Sequence, residues 1–176
     1  MILADLIKDL KAYLVTGLEA LRLHHQTDTP PLLGSVSVFI GSPPPPTPPD
    51  PELTVPYVLI KPEKGEDSPR EIDKGRSLAA LGLYLRVHQP DRELVTGVLQ
   101  AEEEALAATQ LLDRITELLH SLPYRRLGWA ELDSTAWTFD QTETAGLGSA
   151  KITTNWTGPG YTIAVSVEDA EEVYGA

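Results

Sequence analysis

The chain has 176 residues, 26 acidic against 14 basic side chains for a formal charge of -12, 41% hydrophobic residues and no cysteine. Folding at this length buries about 70% of the unfolded surface, enough for one core and too little for two comfortable domains. The composition excludes wholesale disorder, disulfide frameworks and thiolate chemistry, and its acidity argues against gripping nucleic acid, which takes clusters of Lys and Arg.

Leu3, Leu6, Ile7, Leu10, Leu14, Leu18 and Leu21 recur at three- and four-residue steps, the stripe of an amphipathic first helix. His24 and His25 close it, where positive charge suits a helix C-terminus. The β-branched run Ser35–Ile40 reads as a strand. Residues 43–51 then place seven prolines in nine positions, Pro43, Pro44, Pro45, Pro46, Pro48 and Pro49 among them. Such a tract forms neither helix nor sheet and is expected as a polyproline II arm over 42–52. It is a stiff spacer, a clasp on a neighbouring molecule, or a ligand for a proline-reading domain. Residues 55–62 form a second strand bounded by Pro56 and Pro62, and 63–75 an exposed connection. Residues 78–87 carry Tyr84 and Arg86 and read as a largely buried third strand, because Gly82 and the β-prone residues after it outweigh Ala79 and Ala80. A long helix is expected from Pro90 to about Leu122, with strands over 129–139 and 151–156. Gly146 to Gly148 should form a turn, Gly158 to Gly160 a break, and 161–167 a further strand. The order specifies an α+β fold: a mostly antiparallel sheet of five or six strands, packed with an N-terminal helix and one long central helix. It is expected as a single domain over 1–167, followed by an acidic segment over 168–176.

Little of this assembles into chemistry. Glu117 and His120 share a helix face, but a carboxylate-bridged metal centre needs a second such pair and two further glutamates. The stretch from Gly146 to Lys151 lacks phosphate-loop spacing. Glu102, Glu103 and Glu104 point in different directions around a helix and read as a solvated face. Trp129, Trp137 and Trp156 fall in expected strands, as core or interface anchors. No catalytic residue, cofactor or metal site is expected, and hence no enzyme. The apolar runs are shorter than the ~20 residues of a membrane span, and no export signal is visible.

Pro56, Tyr57 and the strand to Pro62, with Gly65 and Asp67 behind it, carry a resemblance. An apolar strand, Gln89-Pro90-Asp91, a long helix ending near Pro123, and closing strands with Trp137 and Trp156 extend it. Over roughly Leu53 to Thr157 the chain resembles the tail terminator, or tail completion, proteins of long-tailed bacteriophages and prophages, and the related head-tail neck proteins. The resemblance implies a structural virion protein at the tail-neck region, assembled in the bacterial host cytoplasm. Its subunits would join one another in a ring, of six copies, that caps the tail tube protein and meets the head connector. DNA would pass through without specific binding, and an acidic lumen would repel its phosphates. A head-tail joining subunit is the nearest alternative, and a cytosolic adaptor acting through the proline tract is the other.

Overall fold

The computed structural model describes residues 3–21, 23–24, 32–33, 36–42, 56–68, 76–87, 97–139 and 149–159. The proline arm from Pro43, the turn at Gly146 to Gly148, the expected strand over 161–167 and the acidic segment over 168–176 lie outside the described residues.

Helix α1 runs Leu3–Leu18 and buries Leu6, Ile7, Leu10, Leu14 and Leu18, the stripe that the spacing specifies. It stops short of the expected end. Leu23–His24 (β1) instead pairs antiparallel with Leu32–Leu33 (β2). Positive charge reaches the end of α1 from Arg114 on the second helix, α2 (Gly97–His120), whose Nη2 donates to Gly17 O at 3.3 Å. The two helices meet closely here. A Cβ on Gly17 would lie 2.5 Å from Leu118 Cδ1, and Tyr13 Oη donates to Leu118 O at 2.7 Å.

The main sheet has six strands: β3 (Ser37–Ile40), β4 (Tyr57–Ser68), β5 (Arg76–Arg86), β6 (Arg126–Leu127), β7 (Ala130–Phe139) and β8 (Ser149–Pro159), in the order β3-β4-β5-β8-β7-β6. Every pairing is antiparallel except β3 with β4. Parallel neighbours cannot be joined by a tight hairpin, and the sequence leaves residues 41–56 between these two strands. The architecture is α+β, with both helices against one face of the sheet.

Three expectations about strand limits give way to pairing. Residues 63–68 continue β4, because they ladder onto β5 down to Ser68 opposite Arg76. Gly158 and Pro159 end β8 rather than interrupt it, opposite Ser77 and Arg76. Trp129 stands in a turn before β7 and is 85% exposed, not a strand anchor.

The core lies between the helices and one sheet face. Leu81, Leu83 and Leu85 of β5, Ile60 of β4 and Ile152 and Trp156 of β8 meet Leu10, Leu14, Leu111, Ile115 and Leu119 of the helices. One buried hydroxyl belongs to this face. Thr154 is fully buried; its Oγ1 donates to Leu81 O at 3.1 Å and accepts the Trp156 indole N–H at 2.8 Å. The tryptophan thereby buries its ring without leaving its donor unpaired.

Candidate functional site

Alternation within a strand sends every second side chain to the opposite face, and among the described residues no helix or strand covers that second face. Tyr57, Leu59 and Lys61 of β4, Tyr84 and Arg86 of β5 and Lys151 of β8 line a groove of about 430 Å³ on it. Tyr57 and Leu59 are buried, Tyr57 meeting Phe39 edge-to-face at 6.3 Å. Towards the opposite ends of β4 and β8 lies a second hollow of about 330 Å³, lined in part by Lys64, Glu66, Leu78 and Asn155.

The groove is built around one ring. The ammonium groups of Lys61 and Lys151 stand 5.1 and 5.2 Å from the centroid of Tyr84, within cation–π range. Tyr84 Oη donates to Glu63 Oε1 at 2.7 Å, and Lys151 Nζ reaches the same oxygen at 2.5 Å. Gly82 makes this crossing of β5 possible, since a Cβ there would lie 2.6 Å from Glu63 Oε1 and 2.7 Å from Tyr84 Cε2. The hydrogen bond to Glu63, helped by burial, holds the Tyr84 hydroxyl above its ordinary pKa. The same carboxylate raises Lys151, against the opposing effect of burial. Burial pushes Glu63 upward, but the hydrogen bonds from Lys151 and Tyr84 and the Lys151 charge together leave it below the usual carboxylate range. Lys61 and Arg86 make no ion pair with a described residue.

A second exposed feature lies at the far edge. Between α2 and β6, the turn Pro123–Arg125 holds Tyr124 and Arg125 at φ of 53° and 57°, in the left-handed region that costs non-glycine residues energy. Arg125 Nη2 fastens this turn to Asp133 O at 2.8 Å, while Tyr124 is 93% exposed and stands near Trp129 in sequence. Trp137 is 57% exposed and touches Phe139 edge-to-face at 5.7 Å.

Of the residues marked by the family-like pattern, Gly65 and Trp156 both line the second hollow, on either side of Ala79, and the others are spread along the sheet. Pro56 precedes β4, its carbonyl accepting Ser37 N–H at 3.1 Å. Tyr57 lies in the groove, Pro62 sits beside a register shift in β4, and Gly65 and Asp67 pair with Ala79 and Ser77. Trp156 is core and Trp137 is surface. Glu117 pairs with Arg114 at 2.7 Å rather than acting with His120, whose Nε2 lies 3.5 Å from Thr135 Oγ1. Among the described residues no His, Asp and Glu cluster could hold a metal ion, and no helix is long and apolar enough to cross a membrane.

No protein-family model matches the chain, and no curated protein matches it. The groove residues Lys61, Glu63 and Lys151 escape a linear reading because they come from strands that are neighbours only after folding. The local signals are shared parities, of Tyr84 and Arg86 on β5 and of Tyr57, Leu59 and Lys61 on β4, each of which puts its residues on one face.

Proposed function

We propose that this chain is a ring-forming structural subunit that closes the tail tube of a long-tailed bacteriophage or prophage and joins it to the head connector. The observation that supports this reading is the one-sided layering. Two helices cover one sheet face, and the other face keeps aromatic and charged groups and two hollows with no second layer among the described residues. A surface of this kind serves a subunit whose second layer is another molecule. The function is assembly without a catalytic step. Neighbours meet through unlike surfaces, and the rotation between them closes the ring and fixes the copy number. The net charge of -12 favours DNA passage over sticking. A neck-joining subunit shares the ring and differs only in what the ring binds. The proline arm serves as a clasp between subunits in this reading, tested by deleting residues 43–51 and assaying ring formation.

Absolute mass in solution, measured by light scattering over a wide concentration range, is the first test. A species near 115 kDa, six times 19.2 kDa, is expected. The decisive test adds the chain to polymerising tail tube protein from the same genome. Tubes that stop growing with the chain at one end support the proposal, and uncapped tubes with no end-bound chain overturn it.

A further inference from the structure

The groove carries a charge unlike that of the molecule around it. In a chain of net -12 it gathers Lys61, Arg86 and Lys151 against one carboxylate among the described residues, Glu63, which Lys151 and Tyr84 already hold. Its buried floor is apolar and aromatic, with Tyr57 and Leu59. A cationic rim over such a floor fits an acidic peptide that also carries an apolar or aromatic residue.

The sequence after β8 holds such a stretch. Lys151 is the last basic residue, and residues 152–176 contain Glu168, Asp169, Glu171 and Glu172 with no positive side chain. Val173 and Tyr174 follow directly. We propose that the groove binds the acidic segment 168–176 of a neighbouring copy, the acids meeting Lys61 and Arg86 and Tyr174 meeting the apolar floor.

β8 begins at the groove with Ser149 and runs away from it to Pro159, so a chain would have to reverse to bring its own segment back, whereas the segment of the next copy in a ring need not. Edge pairing competes poorly as the contact, since the outer edge of β4 past Ile60 carries Pro62, a register shift and alternating charges, the features that keep edges apart. The inference deepens the ring reading, since a groove on one copy and a segment on the next make a head-to-tail contact.

The test uses the full chain, the groove variant K61E/R86E and the segment variant E168Q/D169N/E171Q/E172Q, each checked for an unchanged thermal unfolding curve. A labelled peptide of residues 165–176 is titrated with the segment variant, whose groove is free of competing acid, and read by fluorescence anisotropy. Binding that weakens at least about tenfold between 50 and 300 mM salt, and at least about tenfold in a chain carrying both sets of substitutions, is expected. Salt-insensitive binding, equal binding by the doubly substituted chain, or none overturns the inference. Mixing the groove and segment variants then separates the two sources of the segment. Each should be smaller than wild type alone, and together they should form a heterodimer through the one intact contact. Two monomers that stay apart overturn the neighbour as occupant. Tube capping by wild type reports separately on the ring: capping without peptide binding removes the groove contact and leaves the ring reading intact, and peptide binding without capping does the reverse.

Discussion

Replacing Thr154 by Val tests the polar bond inside the core. The substitution keeps the branched shape and removes one oxygen, which donates to Leu81 O and accepts the Trp156 N–H. Leu81 lies within the paired part of β5, so the larger loss is the indole donor, stranded in a site where Trp156 is 1% exposed. A buried donor without a partner costs about 1–3 kcal/mol, and at this chain length each kcal/mol lowers the melting temperature by about 2–4 °C. T154V is therefore expected to melt roughly 2–12 °C below wild type, with the denaturant midpoint falling at unchanged m. Thr154→Ser keeps the oxygen and loses a methyl group, at about 1 kcal/mol. The cycle with Trp156→Phe isolates the bond, because in that background no indole donor remains to strand and the T154V penalty should shrink. A T154V chain as stable as wild type, or an equal penalty in the W156F background, would refute the reasoning.

Gly17→Ala gains about 1 kcal/mol of helix propensity but forces Leu118, whose Cδ atoms would lie 2.5 and 2.6 Å from the new Cβ. Overpacking costs about 1–3 kcal/mol, so net destabilisation is expected by chemical denaturation, reversing to stabilisation in an L118A background. Leu14→Ala, at a fully buried position, should cost about 2–5 kcal/mol in the same measurement. Glu63→Gln should lower the Tyr84 pKa toward its ordinary value of 10.0, read from phenolate absorbance. The stability linkage has a definite sign at each end. Tyr84 and Lys151, both raised, contribute below their ordinary values of 10.0 and 10.5 and lose that contribution as pH climbs through the folded values. Glu63, lowered, contributes above its ordinary 4.5 and loses it as pH falls through the folded value. The stability gap between wild type and E63Q should thus be widest near neutrality and narrow toward both extremes, as unfolding midpoints across pH will record.

How much could be read in advance depended on whether the cause was local. The α1 stripe was legible because Leu6, Ile7, Leu10, Leu14 and Leu18 bury themselves at helical spacing. So was the buried middle of β5, where Leu81, Leu83 and Leu85 alternate. The end of α1 was not, since its capping cation, Arg114, comes from the other helix. Trp156 and Trp129 look alike in sequence, yet one lies at 1% and the other at 85% exposure, because only the first sits in a strand between two others. The groove was least legible. Its ion pair joins β4 to β8 across β5, and no run of adjacent residues encodes that.

Two register shifts explain the chemistry of the second face. The β4–β5 pairing skips Glu63, and the β7–β8 pairing skips Asp133. Each is an extra residue in its strand, and an extra residue reverses the alternation that follows it. Ala130 and Leu132 accordingly face the core, while Ser134 and Ala136, at the same parity in sequence, are exposed. Both extra residues are acids, and both bond to a strand other than their own. Glu63 accepts from Tyr84 and Lys151, and Asp133 accepts from Thr157 Oγ1. A bulged residue has no ladder partner opposite it, so its side chain can lean along the sheet rather than stand straight out. On β4, Gly82 completes the arrangement by clearing the path over β5. Each carboxylate thereby satisfies groups next to a hollow without filling it. On the groove side this leaves Lys61 and Arg86 unmatched by any described carboxylate, and those two charges are what an acidic partner would meet first.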